Sequence, residues 1–377
     1  MKIIFIGRYN PSELLNGPEK FAKRISQLAC SRYEDIIFIQ YFFEGYKYGI
    51  FKKLFGYEEN KIDTNLTILR LGIFQIFFRV LKFKPQIIHI LMFERFATEI
   101  FLINLILRAK IIYTVHSIFY YENKRSVINA SKLFLLKNRI CEYLLLNYSD
   151  KIVFVSDETI NLAKKYYEID EGKTTVIHQG IDPEFYEANK KFQLSFPIKI
   201  IFYNGINSGI DRKLNELIKV LEEINDPPIQ LFIIGENFTS QLKSTNIQLI
   251  QVDPLPTDKL HDFFSDKHIF LKSPVFDSFS IMSLEAMASG LICIVSNFTG
   301  MQFIIKNEIN GFIYNKDDLN SLLQKLTKVI RNDYDLKQIS KKATEIYFNY
   351  GWDKVFENYS GLYCQIFFEN KKNIHGS

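Results

Sequence analysis

The chain has 377 residues, which at roughly 150 residues per domain means two or three domains and excludes a single small module. Hydrophobic residues make up 47% and charged residues 24%, enough apolar material for large cores and too much for a disordered chain. The formal net charge is +5, and the whole excess lies in residues 1–190, with 27 Lys and Arg against 21 Asp and Glu.

The start, MKIIFIG, runs directly into Arg8, Asn10 and Pro11 without a small-residue cleavage site, so it reads as a buried first strand and not as an export signal. Strands buried on both faces are predicted as near-continuous apolar runs at Lys2 to Ile6, Asp35 to Gln40, Ile87 to Leu91, Ile111 to Val115 and Lys151 to Val155. Helical spacing appears at Glu19 to Leu28 and Ser131 to Leu146, and alternation of the two element types predicts a parallel, doubly wound sheet. A second series of strands begins after Pro183, at Ile198 to Tyr203, Ile229 to Ile234, Ile247 to Gln251, Ile269 to Lys272 and Leu291 to Val295, with helices at Asp211 to Ile224 and Ser280 to Ala288. Between the two series, His178 to Pro197 shows weak periodicity and the turn residues Gly180, Asp182 and Pro183. The fold class is therefore α/β, with two Rossmann-like domains at 1–182 and 183–351 facing across a cleft, followed by an amphipathic helix and tail at 352–377. In such sheets ligands bind where strand carboxyl ends and helix N-termini converge.

No run approaches the roughly 18 uncharged apolar residues of a membrane-spanning helix. Cys30, Cys141, Cys293 and Cys364 are far apart and form no CxxC pair, which points to reduced thiols without a zinc site or disulfide framework and to a cytoplasmic location.

The most informative stretch is LKSPVFDSFSIMSLEAMASGLICIVS, Leu271 to Ser296. It reads as a strand, a loop carrying Asp277, a helix carrying Glu285, then Gly290 and another strand. The spacing lets both carboxylates enter one crevice, while the backbone N–H groups of Ser278, Phe279, Ser280 and Ile281 offer an anion site at the helix start. This stretch resembles the signature of the retaining GT-B glycosyltransferases of the sucrose, mannosyl and capsule or lipopolysaccharide transferase group, glycosyltransferase family 4. There two Glu residues, separated by seven others, precede the words AMAxG. Here the first is Asp277, one methylene shorter, and the second is Glu285.

The resemblance implies a set of roles. Asp277 contacts sugar hydroxyls and Glu285 holds the nucleotide ribose. In Asn204 to Lys213, NGINSGIDRK, the family places an Arg after the Gly and a Lys a few residues on, both gripping the donor diphosphate. This chain has Gly205 followed by Ile206, with Arg212 near the Lys position and Lys213 beside it. Gly17, before the first helix, corresponds to the close backbone approach to the sugar diphosphate. His116, ending Thr114-Val115-His116, corresponds to a His beside the transferred sugar. The phrase Val176 to Asp182 resembles the interdomain hinge and is read as structural.

By implication the second domain binds a nucleotide diphosphate sugar and the first presents a glycan or lipid-linked acceptor, without cofactor or metal. Residues 66–140 add a local clue, since they carry 12 basic and three acidic side chains among many Phe, Ile and Leu. A solvated face, an anionic membrane surface and nucleic acid would each account for them. No nucleic-acid reader motif accompanies the charges, so peripheral contact with the inner face of the cell membrane is the expectation. Two other functions stay open: a degenerate glycosyltransferase acting as a binding or scaffold partner, and a sugar-nucleotide epimerase of the same architecture.

Overall fold

The computed structural model describes all residues except 13–14, 43–47, 63–65, 126–130, 188–191, 206–210, 240–241, 274 and 376–377. The isoleucine-rich runs form strands because β-branched side chains pack well on pleated surfaces covered from both sides. The first sheet contains β1 (Ile3–Ile6), β2 (Ile36–Tyr41), β3 (Tyr57–Lys61), β4 (Thr67–Leu71), β5 (Ile87–Ile90), β6 (Lys110–Val115), β7 (Lys151–Phe154) and β8 (Thr174–Val176). Its order is β3-β4-β2-β1-β5-β6-β7-β8, parallel throughout except for β3 on β4. Ile3 of β1 lies opposite both Ile36 and Ile87, the register of a central strand.

The second sheet contains β9 (Ile198–Gly205), β10 (Ile229–Gly235), β11 (Ile247–Val252), β12 (Ile269–Leu271), β13 (Ile292–Ser296) and β14 (Phe312–Tyr314). Its order is β11-β10-β9-β12-β13-β14, and all its pairings are parallel. The break between the sheets falls between Val176 and Ile198, inside the segment marked by turn chemistry.

Each sheet is packed on both faces. Ile4, Ile88 and Ile111 belong to one apolar cluster of the first sheet, and Ile3, Phe5 and Ile112 to the other. Ile200 and Leu231 lie on one side of the second sheet, with Ile201 and Phe270 on the opposite side. The last helix, Trp352–His375, returns to the first sheet, where Val355, Phe356, Tyr359 and Tyr363 join Phe5 and two residues of α1 (Gly17–Arg32), Phe21 and Ile25. His89 is a satisfied core residue of this cluster. Its ring nitrogens meet Tyr363 Oη at 2.7 Å and Thr114 Oγ1 at 2.8 Å, and burial lowers its pKa to about 3.

The connecting segment is tied to the start of this last helix. Ile181 N–H donates to the Tyr350 carbonyl (2.7 Å) and Trp352 N–H to the Ile181 carbonyl (3.2 Å). A Cβ on Gly180 would lie 2.3 Å from Trp352 Cδ2, so the indole needs glycine there. Gly180→Ala is therefore expected to destabilise the fold by about 1–3 kcal/mol through overpacking. Calorimetry reads this as a lowered Tm, and an unchanged Tm would mean that the indole yields freely.

Three strands of the first sheet carry no strong sequence signal. β3 is a polar, mostly exposed edge strand, β8 has only three half-buried residues, and β4 lies within the basic stretch. Among the described residues no helix is long and apolar enough to cross a membrane. Among the described residues no disulfide joins Cys30, Cys141, Cys293 and Cys364.

Candidate active site

The carboxyl ends of β6, β9 and β12 and the N-terminus of α1 converge on a cavity of about 350 Å³ between the two sheets. From the first sheet's side it is lined by Asn16, Gly17, Lys20, His116, Ser117 and Glu122. Tyr203, Arg212, Lys272, residues 276–282 and Glu285 line the other side, and Gln179 comes from the connecting segment.

On the second sheet's side the backbone is held before the side chains meet. Tyr314 Oη donates to the Lys272 carbonyl (2.8 Å), and Ser273 Oγ donates to the Arg212 carbonyl (2.8 Å). Asp277 N–H donates to the Phe298 carbonyl (3.2 Å), and Asp277 Oδ1 accepts from Phe279 N–H (3.2 Å). Asp277 Oδ2 is left to meet Lys272 Nζ at 2.5 Å. The Lys272 side chain is 2% exposed, and burial lowers its pKa, with Arg212 adding to the effect against the pull of Asp277. Burial pushes the Asp277 carboxyl up, but Lys272 and Arg212 outweigh it and hold it below its ordinary value. Arg212 Nε is buried without a hydrogen-bond partner. One carboxylate thus faces two cations, a surplus of positive charge suited to an anion.

A second charged cluster closes the cavity where α1 meets the helix Ile281–Ala288. Lys20 Nζ is ion-paired with Glu285 and with Asp182 Oδ2 (2.7 Å), while Arg24 Nε reaches Asp182 Oδ1 (2.7 Å). Burial opposes the Lys20 charge, but Glu285 and Asp182 outweigh it and raise its pKa. Burial raises the Glu285 carboxyl, and Lys20 only partly offsets this. The third feature is His116. Its Nε2 lies 2.9 Å from the Leu91 carbonyl and its Nδ1 2.7 Å from Gln179 Nε2. Burial lowers the imidazole to about 4 against the opposing bond to Leu91.

The sequence pattern anticipated a convergence of strand ends and a helix N-terminus, and comparison with known proteins bears on the family and fold of the chain. Residues 197–346 match the family model described as glycosyl transferases group 1, and residues 56–185 match that of glycosyltransferase family 4. The chain belongs to the GT-B glycosyltransferases of the family 4 group. An uncharacterized glycosyltransferase of Methanocaldococcus jannaschii is 26% identical over 246 residues, 59% of this chain and 62% of that protein. The Escherichia coli UDP-Gal:alpha-D-GlcNAc-diphosphoundecaprenol alpha-1,3-galactosyltransferase is 24% identical over 255 residues, 62% of this chain and 63% of that one. The chain thus spans a little under two thirds of the length of these two curated relatives. In fold it is similar to sucrose-phosphate synthase of Thermosynechococcus elongatus, with a TM-score of 0.73 at 14% identity, covering 98% of this chain and 100% of the other.

Of the residues singled out in this chain's sequence, the cavity brings together Gly17, His116, Arg212, Asp277, Ser278, Phe279, Ser280, Ile281 and Glu285. Several expectations need correction. Lys213 does not line the cavity. It adopts a left-handed conformation (φ 61°) just before the helix Leu214–Glu222 and is turned to solvent, where it pairs with Glu216 at 3.1 Å and Asp211 at 3.6 Å. Gly205 also lies outside the lining. Its carbonyl accepts from Glu236 N–H (2.8 Å) and would be 2.0 Å from a Cβ on Gly235, so it is a packing position between β9 and β10. The Phe279 N–H is taken by Asp277, and the Phe279 ring is buried against His178 at 5.3 Å, so this residue's contribution to an anion site is spent on positioning Asp277. Both His116 nitrogens are engaged within the protein. Ile206, at the position of the family's Arg, lies outside the described residues.

The structure adds Lys272, Lys20 and Gln179 to the site. Lys272 ends a predicted strand at the sheet edge where ligands bind, and that position is the one signal that could have flagged it. Lys20, beside Lys23 and Arg24 on a helix, looks in sequence like part of a solvated face, and Gln179 sits in a phrase read as structural.

Proposed function

We propose that the chain is a retaining, metal-independent glycosyltransferase that moves a sugar from a nucleoside diphosphate donor to a glycan or lipid-linked acceptor in surface polysaccharide or glycoconjugate synthesis. The observation that carries this reading is the meeting of Arg212, Lys272 and Asp277 at the strand ends, with Glu285 on the same cavity. A departing diphosphate gathers negative charge as its bond to the sugar breaks, and preorganised cations at that point lower the barrier. Arg212 and Lys272 supply them, Asp277 accepts sugar hydroxyls, and Glu285 stands where the ribose is held. In the same-face displacement we envisage, the sugar carbon loses its bond to the phosphate oxygen and gains one to the acceptor oxygen. The acceptor proton passes to the departing phosphate. The name of the Escherichia coli relative, a UDP-galactose transferase acting on a diphosphoundecaprenol-linked sugar, supports a nucleotide sugar and a lipid-linked acceptor.

A thermal-shift panel of UDP-, GDP-, ADP- and dTDP-linked sugars tests this reading. A ligand that binds only the folded state at a hundredfold excess over Kd stabilises it by about 2.7 kcal/mol. No shift across the panel would contradict it. Donor hydrolysis or transfer that disappears in Glu285→Ala separates an active enzyme from a degenerate binding protein.

The membrane expectation gains a specific face. Ile50 and Phe51 on α2 (Ile50–Phe55) are 77% and 78% exposed, and Phe78 on α3 (Ile73–Phe83) is 63% exposed. Phe55 and Phe74 stack between them at 4.9 Å, and Lys53, Lys82 and Lys84 belong to the same two helices and their cap. Exposed aromatic residues beside lysines suit the boundary of an anionic bilayer at the inner face of a cytoplasmic membrane. Flotation with phosphatidylglycerol vesicles is expected to carry the protein upward at low salt and to lose it in Phe51→Asp/Phe78→Asp. Equal flotation of that variant would remove the membrane assignment.

A further inference from the structure

We infer that Gln179 presents its side-chain Oε1 as a hydrogen-bond acceptor to a hydroxyl of the bound donor, and that His116 is the positioning residue that aims it. The inference rests on the nucleotide-sugar reading above. The argument starts from hydrogen-bond directions. The Leu91 carbonyl can only accept, so the His116 Nε2 facing it at 2.9 Å carries the proton. A neutral imidazole has one N–H, and burial keeps this ring neutral, so Nδ1 is an acceptor. Its partner at 2.7 Å must then be the amide nitrogen of Gln179, which donates. The orientation of the amide follows, and the Oε1 atom points the other way.

That oxygen has no hydrogen-bond partner, although Gln179 is only 4% exposed and lines the cavity. A buried acceptor without a donor is costly and calls for an occupant. Space for one exists beside it. A Cβ on Gly17 would lie 3.7 Å from Oε1 and 3.4 Å from Ile281 Cδ1, so glycine leaves open the corner where α1 begins. An acceptor excludes the phosphate oxygens of an ionised diphosphate, which have no hydrogen to give. The matching ligand group is a hydroxyl, on the transferred sugar or on the ribose.

Titration calorimetry on the full chain tests the inference. The probes are UDP-galactose, UDP-glucose, GDP-mannose and ADP-glucose, followed by analogues of whichever binds that lack single hexose or ribose hydroxyls. Wild type should bind one analogue about tenfold more weakly than the parent, and Gln179→Met should bind the two alike. A hexose analogue assigns Oε1 to the transferred sugar and a ribose analogue assigns it to the nucleoside. Discrimination that persists unchanged in Gln179→Met, or wild type indifferent to every deleted hydroxyl, overturns the role of Gln179 while leaving donor binding intact. Wild type that binds no probe overturns the donor reading and this inference with it. Gln179→Glu is the second variant. It keeps an oxygen at this place and lets the imidazole take the proton between them, so discrimination must survive in it, and its loss with the parent still bound counts against the inference.

Discussion

Lys272→Met is expected to lower kcat/KM by about a hundred- to a thousandfold, the loss typical of removing one preorganised group from developing transition-state charge. Most of the loss should fall on kcat, because the diphosphate is most negative as it departs. Stability should suffer less than activity. Removing one partner of a buried ion pair costs about 3–5 kcal/mol when the other charge is stranded, but Asp277 keeps Arg212 nearby and is 21% exposed. The pH dependence has a definite sign. Burial lowers the Lys272 pKa from 10.5, so its ammonium is lost at a pH where an exposed lysine would still be charged. The alkaline limb of the kcat/KM profile should therefore fall below pH 10.5, and Lys272→Arg should move it upward. A profile identical in wild type and Lys272→Arg would place the titrating group elsewhere.

The second large effect concerns Lys20. Lys20→Met leaves Asp182 and Glu285, both almost fully buried, with Arg24 alone, and is expected to cost about 3–5 kcal/mol. Lys20 has a folded pKa raised above 10.5, so its contribution is complete below that value and disappears as pH rises through the folded pKa. Glu285 already has a raised pKa, which weakens the fold as pH rises from the unfolded carboxyl value of about 4.3 through the folded one. Without Lys20 that penalty grows. The Tm gap between Lys20→Met and wild type should accordingly be wide at neutral pH and narrow in acid, and Glu285→Gln in the Lys20→Met background should recover part of the loss. A gap independent of pH would show that the carboxylates do not need this ammonium.

The GT-B architecture is written in the sequence as runs of isoleucine, because strands covered on both faces must be apolar at nearly every position. β1, β2, β5 and β9 are examples. β3 is illegible for the opposite reason, since an exposed edge strand can be polar and shows no alternation. In the site, Asp277 and Glu285 are legible through their spacing on one loop and helix. Lys272 is legible only through its place at the end of a strand, next to Asp277 on the following loop. Lys20 and Gln179 are not legible, because each acquires its role from a partner far away in the chain. Lys20 is separated from Glu285 by 265 positions, and Gln179 from His116 by 63. Lys213 misleads for a local reason. Its neighbour Arg212 faces the cavity, and a single left-handed residue turns the next side chain to solvent.

The most direct measurement is a crystal structure with the nucleoside diphosphate selected by the thermal-shift panel. Arg212 and Lys272 should both lie within about 3.2 Å of diphosphate oxygens, with the ribose against Glu285. A nucleotide seated outside this cavity, or a diphosphate held without either cation, would contradict the account.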